Sequence, residues 1–228
     1  MTHLPTTKYL KLPLSFDPKA LEEDLKGISE EKWLPQIYTI NYDGRWTSLA
    51  LLSSDGDNDT FSSASANDEL KETVILQNCP YFKKVLDSFH CPLISARLLR
   101  LNAGSYIKPH KDYKLGYENN NFRVHIPIET NDQVEFILDG QQLSMLPGES
   151  WYTNVNFTHS VANRGKNDRI HLVLDAERNE WSDELFFSLA PKESFSLLQE
   201  SQEEKRQIIE ELKRMNNPAS KRLLQSLE

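Results

Sequence analysis

The sequence predicts an all-β core, a sandwich or small barrel of short strands, with helices flanking it on both sides. Three observations predict it. Between Ser95 and Asp175 about eight short runs alternate apolar and polar residues, each bounded by Gly, Asn, Asp or Pro. Asp139-Gly140 sits between two such runs and is a strong hairpin signal. Helical spacing is confined to short stretches before Pro92 and to a charged region after residue 176. The chain has 228 residues, enough for one large domain with a small appendage. The expected division is 1–178 for the β domain with its N-terminal supports and 179–228 for a C-terminal helical extension.

The elements follow in order. Lys8 to Leu12 suits an edge strand. Asp17 is a helix N-cap followed by Pro18 in the first turn, and Leu21, Leu25 and Ile28 make an apolar stripe, so a helix is expected over 18–28. Residues 36–42 alternate, Asp43-Gly44 turns, and 45–52 alternate again, which reads as a hairpin. Residues 53–68 are rich in Ser, Asp and Asn and form a long surface loop. A support helix opens at Cys79-Pro80, carries Phe82, Val85, Leu86 and Phe89 on one side, and ends at Cys91-Pro92. Strands are then expected at 96–101, 106–112, 123–128, 134–138, 142–145, 150–154, 159–163 and 169–175. In the C-terminal region Ser201 and Glu204 fit a capping box, and Ile208, Leu212 and Met215 form a stripe. Such helices suit a homodimer contact or a substrate-selecting wall.

Chemistry concentrates at Pro109-His110-Lys111-Asp112. Residues two apart on a strand share a face, so His110 and Asp112 can point together into the core. Adding His159 makes a facial triad of two imidazoles and one carboxylate. That set leaves coordination positions open and suits non-haem Fe(II) with O2 better than zinc. Arg169 begins a strand ten residues after His159. A buried guanidinium matches a planar carboxylate through paired hydrogen bonds, and the dicarboxylate that chelates ferrous iron through its keto-acid end is 2-oxoglutarate. Arg123 with His125, and Arg169 with His171, share faces of their strands and would line a pocket for a dianion.

Taken together, Gly104 to Asp112, Arg123 to Ile128, Gly148 to Trp151, His159 to Asn163 and Arg169 to Asp175 resemble the aspartyl/asparaginyl β-hydroxylase-like family of Fe(II)/2-oxoglutarate dioxygenases. The resemblance implies a double-stranded β-helix (cupin-type jelly roll), with His110, Asp112 and His159 on iron. It implies Arg169 on one carboxylate of 2-oxoglutarate and Arg123 and His125 near the other. The aspartyl-hydroxylase branch lacks the carboxylate ligand, whereas Asp112 stands here, so the ligand set is more similar to the proline cis-hydroxylase branch. In that branch an arginine near the position of Arg97 is expected to hold the substrate carboxylate. Trp46, Tyr38 and Trp151 could supply an aromatic wall.

The expected activity is hydroxylation of an aliphatic C–H of an amino acid, free, peptidyl or carrier-bound, with release of succinate and CO2. Two rivals are a cupin-type metal enzyme that does not use 2-oxoglutarate and a non-catalytic metal-binding sensor or interaction module. The formal net charge of -8, without a Lys/Arg-rich stripe, argues against nucleic acid. No apolar run is long enough to span a membrane, and the first twelve residues lack the pattern of a signal peptide. Two cysteines make no disulfide framework, which is consistent with a cytoplasmic protein.

Overall fold

The computed structural model describes residues 5–37, 39–57 and 70–196. Tyr38, most of the loop predicted over 53–68, and the C-terminal helices predicted from Ser201 onward lie outside the described residues, as does the dimer contact expected of them.

The chain begins with β1 (Tyr9–Ser15), α1 (Pro18–Lys26), β2 (Leu34–Pro35), β3 (Tyr42–Asp43), β4 (Trp46–Ser53), β5 (Lys71–Glu72), α2 (Val74–Gln77) and α3 (Pro80–Asp87). Eight strands and a helix follow: β6 (Leu93–Leu101), β7 (Tyr106–His110), β8 (Asn121–Glu129), β9 (Val134–Leu138), β10 (Gln141–Leu143), β11 (Glu149–Thr153), β12 (His159–Asn163), β13 (Arg169–Glu177) and α4 (Glu180–Phe187). They form two antiparallel sheets. The larger has the order β1-β11-β8-β13-β6-β4-β2, with β5 on β4, and the smaller β10-β9-β12-β7-β3. Neither closes into a barrel.

The hairpin expected over 36–52 does not form. Of the segment before Gly44 only Leu34–Pro35 pairs with β4, residues 39–41 make a turn of 3-10 helix, and Tyr42–Asp43 joins the smaller sheet beside β7. The alternation at 39–41 is not buried, and Ile40 is 81% exposed. Gly44 (φ +87°) makes the crossover possible, because a Cβ at that position would meet Ser105 Oγ at 2.4 Å. Asp139 and Gly140 both have positive φ, as a two-residue hairpin turn between β9 and β10 requires.

The central strands of the larger sheet are buried on both faces. Phe122, Val124, Ile126 and Ile128 of β8 and Ile170, Leu172, Leu174 and Ala176 of β13 face one way. They join a core that includes Leu21 and Leu25 of α1 and Phe82 and Val85 of α3. The caps fix these helices: Asp17 accepts from Lys19 N, and Asp24 of α1 accepts from Tyr81 N and Phe82 N at the start of α3. Phe186 of α4 stacks on Tyr117 at 4.1 Å within the same core. The opposite face of the larger sheet turns toward the smaller sheet, with Leu101, Ile107, Phe136, Leu138 and Val161 between them. Arg97, Arg123, His125, Arg169, His171 and Asp175 fall on that second face by period two.

Candidate metal centre and carboxylate pocket

His110 closes β7 and His159 opens β12, and the two residues are paired across the strands. Their ring centroids lie 4.2 Å apart. Asp112 is two residues beyond the end of β7, where its N–H donates to Val155 O at 2.9 Å. One donor atom from each of His110, Asp112 and His159 lies within 4.8 Å of the others, a spacing that suits a single cation.

The hydrogen bonds behind the cluster select the free atoms. His110 Nδ1 lies 2.8 Å from Lys108 O and His159 Nδ1 lies 3.1 Å from Phe157 O. A carbonyl only accepts, so each Nδ1 carries the proton and each Nε2 keeps its lone pair. Asp112 Oδ2 accepts from Arg123 Nη1, while Oδ1 faces His110 Nε2 at 3.9 Å. Burial raises the Asp112 carboxyl, but Arg123, His159 and His110 outweigh it and hold the group below its usual range. Burial, reinforced by neighbouring His110, lowers His159 to about 4, so it is neutral at physiological pH. These donors fit a divalent ion of the 2-His-1-carboxylate type.

Arg123 is itself held. Its Nε and Nη2 donate to Asp175 at 2.7 and 3.0 Å. Asp175 also accepts from Ser95 Oγ at 2.9 Å and Arg97 Nη2 at 3.2 Å. Burial opposes ionisation of Asp175, yet Arg123 and Arg97 hold its carboxyl well below the usual range. Sequence reading gave Asp175 no role, although residues 169, 171, 173 and 175 share one face of β13. That periodicity is the signal that could have found it.

Arg169 is 2% exposed, and no carboxylate among the described residues lies within 4.0 Å of its guanidinium. Its Nη2 donates to His171 Nδ1 at 2.9 Å, its Nε has no partner, and burial lowers it to about 9. A buried cation without a counter-charge is costly, so the pocket favours an anion. His125 and His171 are buried and pushed well below the usual imidazole range, chiefly by desolvation.

One narrow cavity joins these groups. It is lined by His110, Asp112, His159, Arg123, His125 and Arg169, with Trp46, Leu99, Ile107, Phe136 and Val161 completing the wall. Trp46 therefore stands where an aromatic wall was expected. Trp151 does not line it; its indole N–H donates to Glu149 Oε2 at 2.9 Å and its ring packs near Tyr9. Arg97 sits beside the pocket on Asp175, with 27% of its side chain exposed. The thiols take no part: burial pushes Cys79 up to about 11 and Cys91 up to about 12.

Two antiparallel sheets packed face to face, with a His–Asp–His cluster able to hold a metal between them, place the chain in the double-stranded β-helix class of fold. Residues 16–179 match the model of the aspartyl/asparaginyl beta-hydroxylase family, and the chain belongs to that family. It is 26% identical over 166 residues to L-proline cis-4-hydroxylase of Rhizobium meliloti (strain 1021), covering 72% of this chain and 59% of that one. It is 22% identical over 169 residues to L-proline cis-3-hydroxylase 2 of a Streptomyces species, covering 71% and 57%. The chain thus spans less than two thirds of the length of these relatives. A 2OG-Fe(II) oxygenase family oxidoreductase from Burkholderia pseudomallei shares the fold, with a TM-score of 0.53 at 16% identity over 75% of this chain and 86% of that one. Among the described residues no helix is long and apolar enough to cross a membrane.

Proposed function

We propose that this protein is an Fe(II)- and 2-oxoglutarate-dependent hydroxylase of an aliphatic C–H in an amino acid, free, peptidyl or carrier-bound, acting in the cytoplasm. The observation that carries the reading is Arg169, a buried guanidinium without a carboxylate partner, lining the same cavity as the His–Asp–His cluster. The relatives named as proline hydroxylases make L-proline and its derivatives the first substrates to test.

The chemistry an Fe(II) ion supplies when bound is the use of O2 to decarboxylate 2-oxoglutarate to succinate and CO2, with the second oxygen atom inserted into the substrate C–H. The protein's part is positioning. His110 and His159 offer Nε2 because their Nδ1 protons are committed to backbone carbonyls. Arg123 occupies Asp112 Oδ2 and leaves Oδ1 for the metal. Arg169 receives the far carboxylate of 2-oxoglutarate. Leu99, Ile107, Phe136 and Val161 exclude water around it.

Charge supports an anionic substrate group as well. Three guanidiniums (Arg97, Arg123 and Arg169) accompany two carboxylates (Asp112 and Asp175), so the pocket is one positive charge in excess. A divalent metal raises the excess to three, and dianionic 2-oxoglutarate leaves one. A substrate carboxylate beside the partly exposed Arg97 would balance it. A cupin-type enzyme without 2-oxoglutarate, or a metal-binding sensor, would leave Arg169 buried without a counter-charge.

The test is succinate release from 2-oxoglutarate with Fe(II) and ascorbate, with and without a panel of amino acids headed by L-proline. Mass spectrometry follows the product heavier by one oxygen. Release that depends on substrate, and is lost in Asp112→Ala and Arg169→Ala, is expected. Unchanged 2-oxoglutarate binding in Arg169→Ala would overturn the reading.

A further inference from the structure

The turn that precedes β12 touches two members of the His–Asp–His cluster. It covers residues 154–157 and is closed by Phe157 N–H donating to Asn154 O at 3.2 Å. Val155 O accepts from Asp112 N at 2.9 Å, and Phe157 O accepts from His159 Nδ1 at 3.1 Å. The first bond fixes the backbone from which the Asp112 carboxylate projects. The second fixes the tautomer and tilt of the His159 ring. Slack in this one turn would therefore displace two donors at once.

A carboxylate grips the turn from outside it. Glu118 lies in the loop between β7 and β8 and is half-buried. Its Oε1 accepts from Asn154 Nδ2 at 3.0 Å and from Asn156 Nδ2 at 2.8 Å, and its Oε2 accepts from Asn154 Nδ2 at 2.9 Å. The amide orientations follow from the backbone. Asn154 Oδ1 accepts from Asn156 N and Asn156 Oδ1 accepts from Leu115 N, and a backbone N–H only donates. Both NH2 groups are thereby turned onto Glu118. Among the described residues no Lys, Arg or His nitrogen lies within 4.0 Å of the Glu118 carboxylate, so its partners are these amides and not a cation. Gly116 packs against the same group: a Cβ there would collide with Asn156 Nδ2, Glu118 Oε1 and Asn154 Oδ1.

We propose that Glu118 is a positioning residue of the metal centre, clamping the 154–157 turn so that Val155 O and Phe157 O hold Asp112 and His159 where one ion can take both. Glu118 bonds neither metal ligand and acts only through the two asparagines. The proposal rests on the reading of His110, Asp112 and His159 as metal ligands. A carboxylate suits this place because it accepts with both oxygens and donates with neither. Glutamine keeps one accepting oxygen, enough for the two bonds made by Oε1, whereas alanine keeps none.

The experiment uses the full chain, stripped of metal with a chelator, and Co(II) as the probe, titrated by calorimetry on the folded fraction with the visible bands of bound Co(II) recorded. Glu118→Ala is expected to weaken Co(II) by about tenfold and to change those bands, because the ligands no longer hold one geometry. Glu118→Gln is expected to stay within about threefold of the unaltered protein. Leu172→Ala loosens the core under the helices and is expected to leave Co(II) affinity and bands unchanged, which separates positioning from a general loss of stability. Asn156→Ala cuts the clamp from the side of the turn, is expected to act in the same sense as Glu118→Ala, and replaces it should that variant not fold. A folded Glu118→Ala or Asn156→Ala protein with the affinity and bands of the unaltered one overturns the proposal. An equal loss in Leu172→Ala also overturns it. Absence of Co(II) binding to the unaltered protein overturns the metal-centre reading itself and the proposal with it, so the two failures are told apart.

Discussion

The two faces of β13 are equally buried and chemically opposite. Ile170, Leu172 and Leu174 are at most 3% exposed and pack under the helices; Arg169, His171 and Asp175 are at most 5% exposed and face the smaller sheet. The first face is stable because apolar area leaves water. The second is tolerable only because its charges are paired, as in Asp175 with Arg123, or await a ligand, as in Arg169. The apolar face is not free of charge either: Arg100 is buried there, but it stacks on Trp33 at 3.8 Å and pairs with Glu30. One strand thus carries a packing face and a working face, and damage to the two should read out differently.

Asp175→Ala removes one of the two carboxylates that neutralise Arg123 and the carboxylate partner of Arg97, and should destabilise the protein by about 3–5 kcal/mol. Leu172→Ala should cost about 2–5 kcal/mol through lost burial and a cavity. The contrast lies in metal affinity, measured by Co(II) titration of the folded fraction. It should fall in Asp175→Ala, because Arg123 no longer fixes Asp112, and stay unchanged in Leu172→Ala. Equal metal affinity in both would erase the distinction between the faces.

Mild acid reaches the working face through its buried histidines. His125 and His171 are held neutral when folded but protonate on unfolding, so their folded pKa values lie below the unfolded value of about 6.5. Stability of the metal-free protein is therefore full above that value and falls as pH drops toward the folded pKa values. At pH 5 the loss should be at most about 2 kcal/mol per histidine. His159, lowered to about 4, contributes in the same sense. Urea unfolding at pH 7.5 and 5.0 measures the sum, and His171→Phe should reduce the pH dependence by about a third. A surface pair sets the lower limit of the scale. Lys83→Ala, which removes the exposed ion pair with Glu72, should shift stability by less than about 1 kcal/mol.

Much of this was legible in the sequence. The eight strands from β6 to β13 follow from alternation and turn residues, and α1 and α3 from Asp17-Pro18 and Cys79-Pro80 with their stripes. His110, Asp112, His159 and Arg169 were legible because their residue types and order are unusual inside a strand-rich region. What was not legible depended on partners. Residues 36–42 alternate like a strand, yet residues 39–41 make a turn of 3-10 helix and Tyr42 pairs with β7 of the smaller sheet instead of with β4. Trp151 has the right composition for a pocket wall but bonds Glu149 instead.

The sequence by itself determined which residues share a face, because period two is a property of the local backbone. The tertiary structure decided which residues touch. The relay from Asp175 through Arg123 to Asp112 depends on the register of β13 against β8 and on the tether of Asp112 to Val155. The cavity that joins Arg169 to the His–Asp–His cluster depends on how one sheet packs over the other. A tight turn such as Asp139-Gly140 fixes register locally, but β8 and β13 are joined by no such turn, so their register and the packing of the sheets depend on contacts between residues far apart in the chain.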